Sequence, residues 1–154
     1  MLLEHITSLD RAKRIVAEKR YRPTYDSPLA GDSGLNAHIL GDKNRAQGIC
    51  YERQGAKLIL EWNGPTTTLN RYPLPVDTLL DERPFRVMVS QGTTKYLRAI
   101  RIECDDEVLL AGRSVPAWCF TPKMKVTWRK FVISAERVKL ERLFNPPSQI
   151  VVLP

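Results

Sequence analysis

No apolar run in this chain approaches the roughly 18–20 residues that a bilayer-spanning helix needs, so no membrane span is expected. Cysteine is scarce: Cys50, Cys104 and Cys119 are odd in number and far apart. That pattern gives neither a disulfide scaffold nor the paired spacing of a zinc site, and the three read as reduced thiols, most of them buried. The two histidines, His5 and His38, stand at no recognised metal-ligand spacing from those cysteines, so no metal is expected. The P-loop and Rossmann glycine fingerprints are absent, and so is the nucleophile elbow of serine hydrolases. There is no internal repeat, low-complexity tract or linker, and a length of 154 residues predicts one domain over 1–154. The N-terminus mixes acid and base and lacks a long apolar stretch, which argues against a secretory signal and for a cytoplasmic setting. A toxin domain already cut from a larger secreted polypeptide would read the same way.

Charge is what the sequence has in excess. Lys and Arg number 24 against 17 Asp and Glu, a net charge of +7, with a pI near 9.5. The basic residues gather at the two ends, from Arg11 to Arg22 and from Lys123 to Arg142, while Glu103 to Glu107 is acidic. Such a surface attracts polyanions and favours a nucleic-acid or nucleotide partner; its alternative is a solvated face that keeps the protein soluble. No long block of one sign points to a disordered basic tail.

The pattern of elements is α+β, with roughly five to seven short strands in a mixed or antiparallel sheet, one good N-terminal helix and one short C-terminal helix. Leu2 to Ser8 reads as a short strand, followed by a helix over Ser8 to Lys19 that Thr7 caps with Asp10 as the reciprocal acid. Leu9, Ala12, Ile15 and Val16 form its buried stripe. Gln47–Glu52 and Lys57–Trp62 read as strands around a Gln54-Gly55 turn, with Leu58, Leu60 and Trp62 on one face and Ile59 and Glu61 on the other. Gly64-Pro65 stops the second, and the threonines that follow continue as an edge. Arg71–Pro84 reads as an irregular crossing loop rich in proline. Phe85–Ser90 and Tyr96–Ile102 are the clearest strands, with Arg98 and Arg101 on different faces of the latter. Lys125–Ile133 reads as another strand. Ser134 is placed as the cap of the short helix, and Ile150–Leu153 as a final strand. Trp62, Trp118 and Trp128 are assigned to packing.

The order Leu3-Glu4-His5-Ile6-Thr7, capped helix, Pro23, then Gly31-Asp32-Ser33-Gly34 resembles the opening of ADP-ribosyltransferase domains, including the bacterial toxins that modify DNA. The resemblance covers about a quarter of the chain. It implies an ADP-ribosyltransferase-like fold in which His5 and Thr7 hold the ribose of NAD, with Gly34 in the neighbouring glycine loop. It also implies a toxin or phage–host effector acting on a macromolecule, with nucleic acid slightly favoured over protein as acceptor.

Breaking the nicotinamide–ribose bond passes through an oxocarbenium-like state, so such an enzyme needs an aromatic shelf and one carboxylate near the reacting ribose. Tyr51 is the candidate shelf, with Tyr25 as its substitute. The carboxylate is open between Glu136 and Glu103, with Glu141 and Glu61 behind them. Each residue has a plainer explanation beside this one. His5 would be a structural hydrogen bonder, Thr7 a helix cap, and Gly31–Gly34 a turn. The competing functional expectation is a non-enzymatic basic module that binds nucleic acid or protein, using Arg98, Arg101 and the terminal basic clusters.

Overall fold

The computed structural model describes residues 1–19, 21, 35–41, 55–68, 70–73 and 85–145. The elements expected at 47–52 and 150–153 lie outside these, as do Tyr25, Gly31–Gly34 and Tyr51. Along the chain come β1 (Leu2–Thr7), α1 (Leu9–Glu18), β2 (Leu35–Ile39), β3 (Ala56–Trp62), β4 (Asn70–Pro73) and β5 (Phe85–Val89). β6 (Leu97–Cys104), α2 (Asp106–Leu110) and α3 (Pro122–Phe144) complete the described strands and α-helices, beside 3-10 turns at Thr66–Thr68 and Gln91–Tyr96. All described strand pairs are antiparallel. β1, β2, β3 and β6 form a four-stranded unit, which β5 and β4 extend beyond β2 in the order β4-β5-β2-β1-β3-β6.

The alternation of β3 sets the two faces of the sheet. Leu58, Leu60 and Trp62 join Leu3, Leu35, Ala37, Val87, Val89 and Leu97 in one buried cluster with Ala12 and Ile15 of α1. α1 packs on β3 and β6, and α3 packs on β6 and α1, so both helices cover this same face. A fully buried Leu or Ile contributes about 1.5–3 kcal/mol, which makes this shared apolar face the dominant constraint on the register of β1, β2 and β3.

Several expectations are corrected. Thr7 stays in β1 opposite Ala56. Ser8 is the cap of α1, its hydroxyl accepting from the Arg11 N–H at 3.3 Å. The helix ends at Lys19, whose left-handed φ of 49° closes the last turn. The expected strand at Lys125–Ile133 is helix, within the 23-residue α3. Its Val, Thr, Phe and Ile content mimics a strand, but Thr121 caps the Met124 N–H at 3.2 Å and Pro122 occupies the first turn, where its missing N–H costs nothing. Ser134 therefore lies inside a helix and caps none, and the C-terminal helix is long. Thr66–Thr68 form a 3-10 turn instead of an edge. The first residues of the expected crossing loop are strand instead, Asn70–Pro73 pairing with β5 as an outer strand, and the rest of that expectation, 74–84, lies outside the described residues. Proline is tolerated there because, among the described residues, β4 is the outermost strand on its side.

Arg98 and Arg101 share a face, contrary to simple alternation. Between β3 and β6 the register shifts: Ile59 faces Arg101, while Leu60 faces Ala99. Ile100 is thus an extra residue, a β-bulge that turns Arg101 onto the same side as Arg98, Ile59 and Glu61.

Gly64 marks the exit from β3. A Cβ there would meet the Trp62 ring at 2.6 Å and the Tyr96 ring at 2.7 Å. Those rings pack edge to face, with centroids 5.5 Å apart, so the turn requires a residue without a side chain.

Candidate functional site

His5 and Thr7 lie on one face of β1, the one that α1 covers, with relative exposures of 5% and 3%. His5 stands opposite Leu58 of the core and Thr7 opposite Ala56. Glu4, between them in sequence, points to the other face, opposite both His38 and Ile59. Gly34 and Tyr51 lie outside the described residues.

The two candidate carboxylates are not brought together. Glu103 pairs across the sheet with Lys57, on the side away from the helices. Its carboxylate accepts from Arg101 at 2.7 Å. Glu136 is on α3, in the helical layer. It is buried and accepts from Arg113 Nη2 at 2.6 Å and Lys139 Nζ at 2.7 Å, with Lys13 Nζ at 3.9 Å. The Lys139 hydrogen bond holds its carboxyl below the usual range against the opposing effect of burial, and Arg113 and Lys13 add to the lowering. A carboxylate gripped by three cations ties α1, α3 and the segment around Arg113 together. Glu61 is bound by Arg98 at 2.7 Å, and Glu141 borders a cavity beside β6.

Two cavities follow β6. One, of about 250 Å³, lies between β6, α2 and the end of α3, with Cys104, Leu109, Leu140 and Phe144 in its wall. Burial pushes the Cys104 thiol up, and Arg137 and Lys13 only partly offset it. That group is a thiol rather than a thiolate at neutral pH and a poor nucleophile. The second cavity, of about 450 Å³, lies beyond Phe144, toward Tyr21 and Lys95. His5, Thr7, Glu103 and Glu136 line neither.

The surface that sequence reasoning missed is the run from Trp118 into the first half of α3. Val132, Glu136 and Leu140 are the buried residues of α3, and all lie beyond its first ten residues. The turns before them overhang, so that even Lys125 and Arg129, on the same side of the helix as the buried row, are exposed. Trp118, Phe120 and Phe131 are 61%, 77% and 72% exposed. For Trp118 this corrects the assignment to packing: it sits in the irregular segment ahead of α3, while Trp62 is buried and Trp128 half-buried. The Thr121-Pro122 pair was the signal available in the sequence, since a cap followed by proline starts a helix there and sets the phase of everything after it.

The charges around this helix fall into two groups. Arg113, Arg129 and Arg137 are tied to Glu136, Glu107 and Asp106, and Lys139 to Glu136. Lys123, Lys125 and Lys130 are exposed and enter no ion pair among the described residues. The positive end of the α3 dipole lies at the same place. Among the described residues no group of His, Cys, Asp and Glu could hold a metal ion, and no helix is long and apolar enough to cross a membrane.

No family model, curated protein or solved structure matches this chain.

Proposed function

We propose that this protein is a nucleic-acid-binding module whose contact surface is the overhanging first half of α3. The observation that carries this reading is the separation of uncommitted from committed charge. Lys123, Lys125 and Lys130 project from an overhang with no carboxylate partner among the described residues, while Arg113, Arg129 and Arg137 are already paired. A partner that brings phosphates displaces counterions from those lysines without first breaking an ion pair. Binding of a labelled oligonucleotide, followed by anisotropy across a salt series, tests it. Affinity falling steeply with salt, and weakened by Lys→Ala changes at the three positions, supports the reading. Salt-independent or absent binding rejects it.

A second reading, an NAD-dependent ADP-ribosyltransferase-like domain of toxin or effector type, is favoured by one observation: His5 and Thr7 do share a face at the end of β1. It requires NAD to reach two side chains that are almost inaccessible. It also requires a free carboxylate, whereas Glu136 is held by three cations and Glu103 faces the other side of the sheet. NAD titration by calorimetry on the wild-type protein and on His5→Ala tests it. Binding in the micromolar range that is lost in the variant supports it, and no heat up to millimolar NAD rejects it.

A further inference from the structure

We infer that the nucleic acid taken by the α3 overhang is single-stranded, its bases stacking on Trp118, Phe120 and Phe131. This rests on the nucleic-acid reading above and adds the class of partner. Lysines alone do not discriminate, because single and double strands both present phosphates. The aromatic rings do. Three large rings that are 61–77% exposed flank the free lysines: Trp118 and Phe120 lie just before the Thr121 cap, and Phe131 lies about 14 Å along the helix from Pro122. A duplex buries the faces of its bases in its own stack and offers such rings nothing flat to cover. A single strand offers a base face for each ring and a phosphate for each lysine.

An anionic bilayer would also be drawn to basic and aromatic residues, but it selects helices whose apolar and charged residues occupy opposite sides. The solvent side of α3 does not divide in that way. Lys123 and Lys130 form a row seven residues apart, Thr127 and Ser134 form the row beside it, and Phe131 and Val138 form the next. All six are exposed, so a ring placed in the acyl region would carry hydroxyls and ammonium groups down with it. The polar rows suit a phosphate backbone, and the single-stranded partner is the one that uses the rings as well.

The experiment compares three probes on the full chain at one salt concentration. They are a labelled oligo-dT of about 20 nucleotides, a blunt duplex of the same length, and vesicles containing anionic phospholipid. Trp118 fluorescence is the second readout, assigned by its loss in Trp118→Phe. The expected result is binding of oligo-dT at least about tenfold tighter than of duplex, with quenching of Trp118 by the stacked base. The double variant Trp118→Ala/Phe120→Ala should lose about tenfold or more for oligo-dT and little for duplex. Its circular dichroism should match the wild type, because both side chains are exposed. Equal or tighter duplex binding, or a double variant that holds oligo-dT as the wild type does, overturns the single-strand inference and leaves the nucleic-acid reading standing. Binding to neither nucleic acid overturns both. Binding to vesicles alone, with a blue shift in place of quenching, overturns both in favour of a membrane surface.

Discussion

Arg113 donates to Glu136 across 2.6 Å although 23 residues separate them. The contact pins the irregular segment ahead of α3 to the buried side of that helix, while Lys13 brings α1 to the same carboxylate at 3.9 Å. One acid thus joins three parts of the chain.

The Glu136 carboxyl is held below its ordinary value of 4.5 in the folded protein. The unfolded chain therefore takes up its proton first as pH falls. The stability this group supplies is fully present above 4.5 and is lost as pH drops through the folded value. Glu136→Gln should cost about 1–2 kcal/mol at neutral pH, the partners being partly solvent-screened. It should also flatten the acid side of the stability profile. Urea titrations at several pH values check both effects, and an unchanged acid limb would assign acid sensitivity to other groups.

Ser8→Ala should destabilise the protein by about 1 kcal/mol through loss of the α1 cap. Amide exchange distinguishes this from a general weakening. The Arg11 N–H, which now bonds to the Ser8 hydroxyl at 3.3 Å, should exchange faster in Ser8→Ala and not in Thr7→Ala.

Gly64→Ala sets a methyl group against two rings that it would approach within 2.6 and 2.7 Å. A loss of about 1–3 kcal/mol is expected, with a change in the near-ultraviolet signal of Trp62. In a Tyr96→Ala background the same substitution should cost less, a coupling that a double-mutant cycle measures.

Replacing Lys123, Lys125 and Lys130 together by Ala should lower the slope of log affinity against log salt by about 2, at roughly 0.7 per phosphate contact for a single strand. The same triple change at Arg98, Arg101 and Arg137 should do less, because those guanidinium groups are already neutralised by Glu61, Glu103 and Asp106.

The first strand and helix were legible because their periodicities are strong. Leu3, Ala12 and Ile15 are buried where the pattern puts them, and Leu58, Leu60 and Trp62 alternate as read. α3 was not legible in the same way. Its apolar residues are spread around the axis and include the β-branched pairs Val126-Thr127 and Val132-Ile133, so neither period dominates, and the strand reading passes over the signal of the Thr121-Pro122 start. The shared face of Arg98 and Arg101 depends on an unpaired Ile100, which no alternation rule contains. The sequence puts His5 and Thr7 two residues apart in a strand, and they share one side of β1. It could not convey that this side would be buried, since that depends on which face of the sheet the helices choose.

That extra residue in β6 has an effect beyond aiming a side chain. β6 is the last strand on its side of the described sheet, the position where a flat row of backbone amides invites the same strand of another copy to add on. A kinked ladder with Arg98, Arg101 and Glu103 on one side makes a poor template for that growth. Within the described sheet, the Ile100 bulge thus works against edge-to-edge pairing along β6.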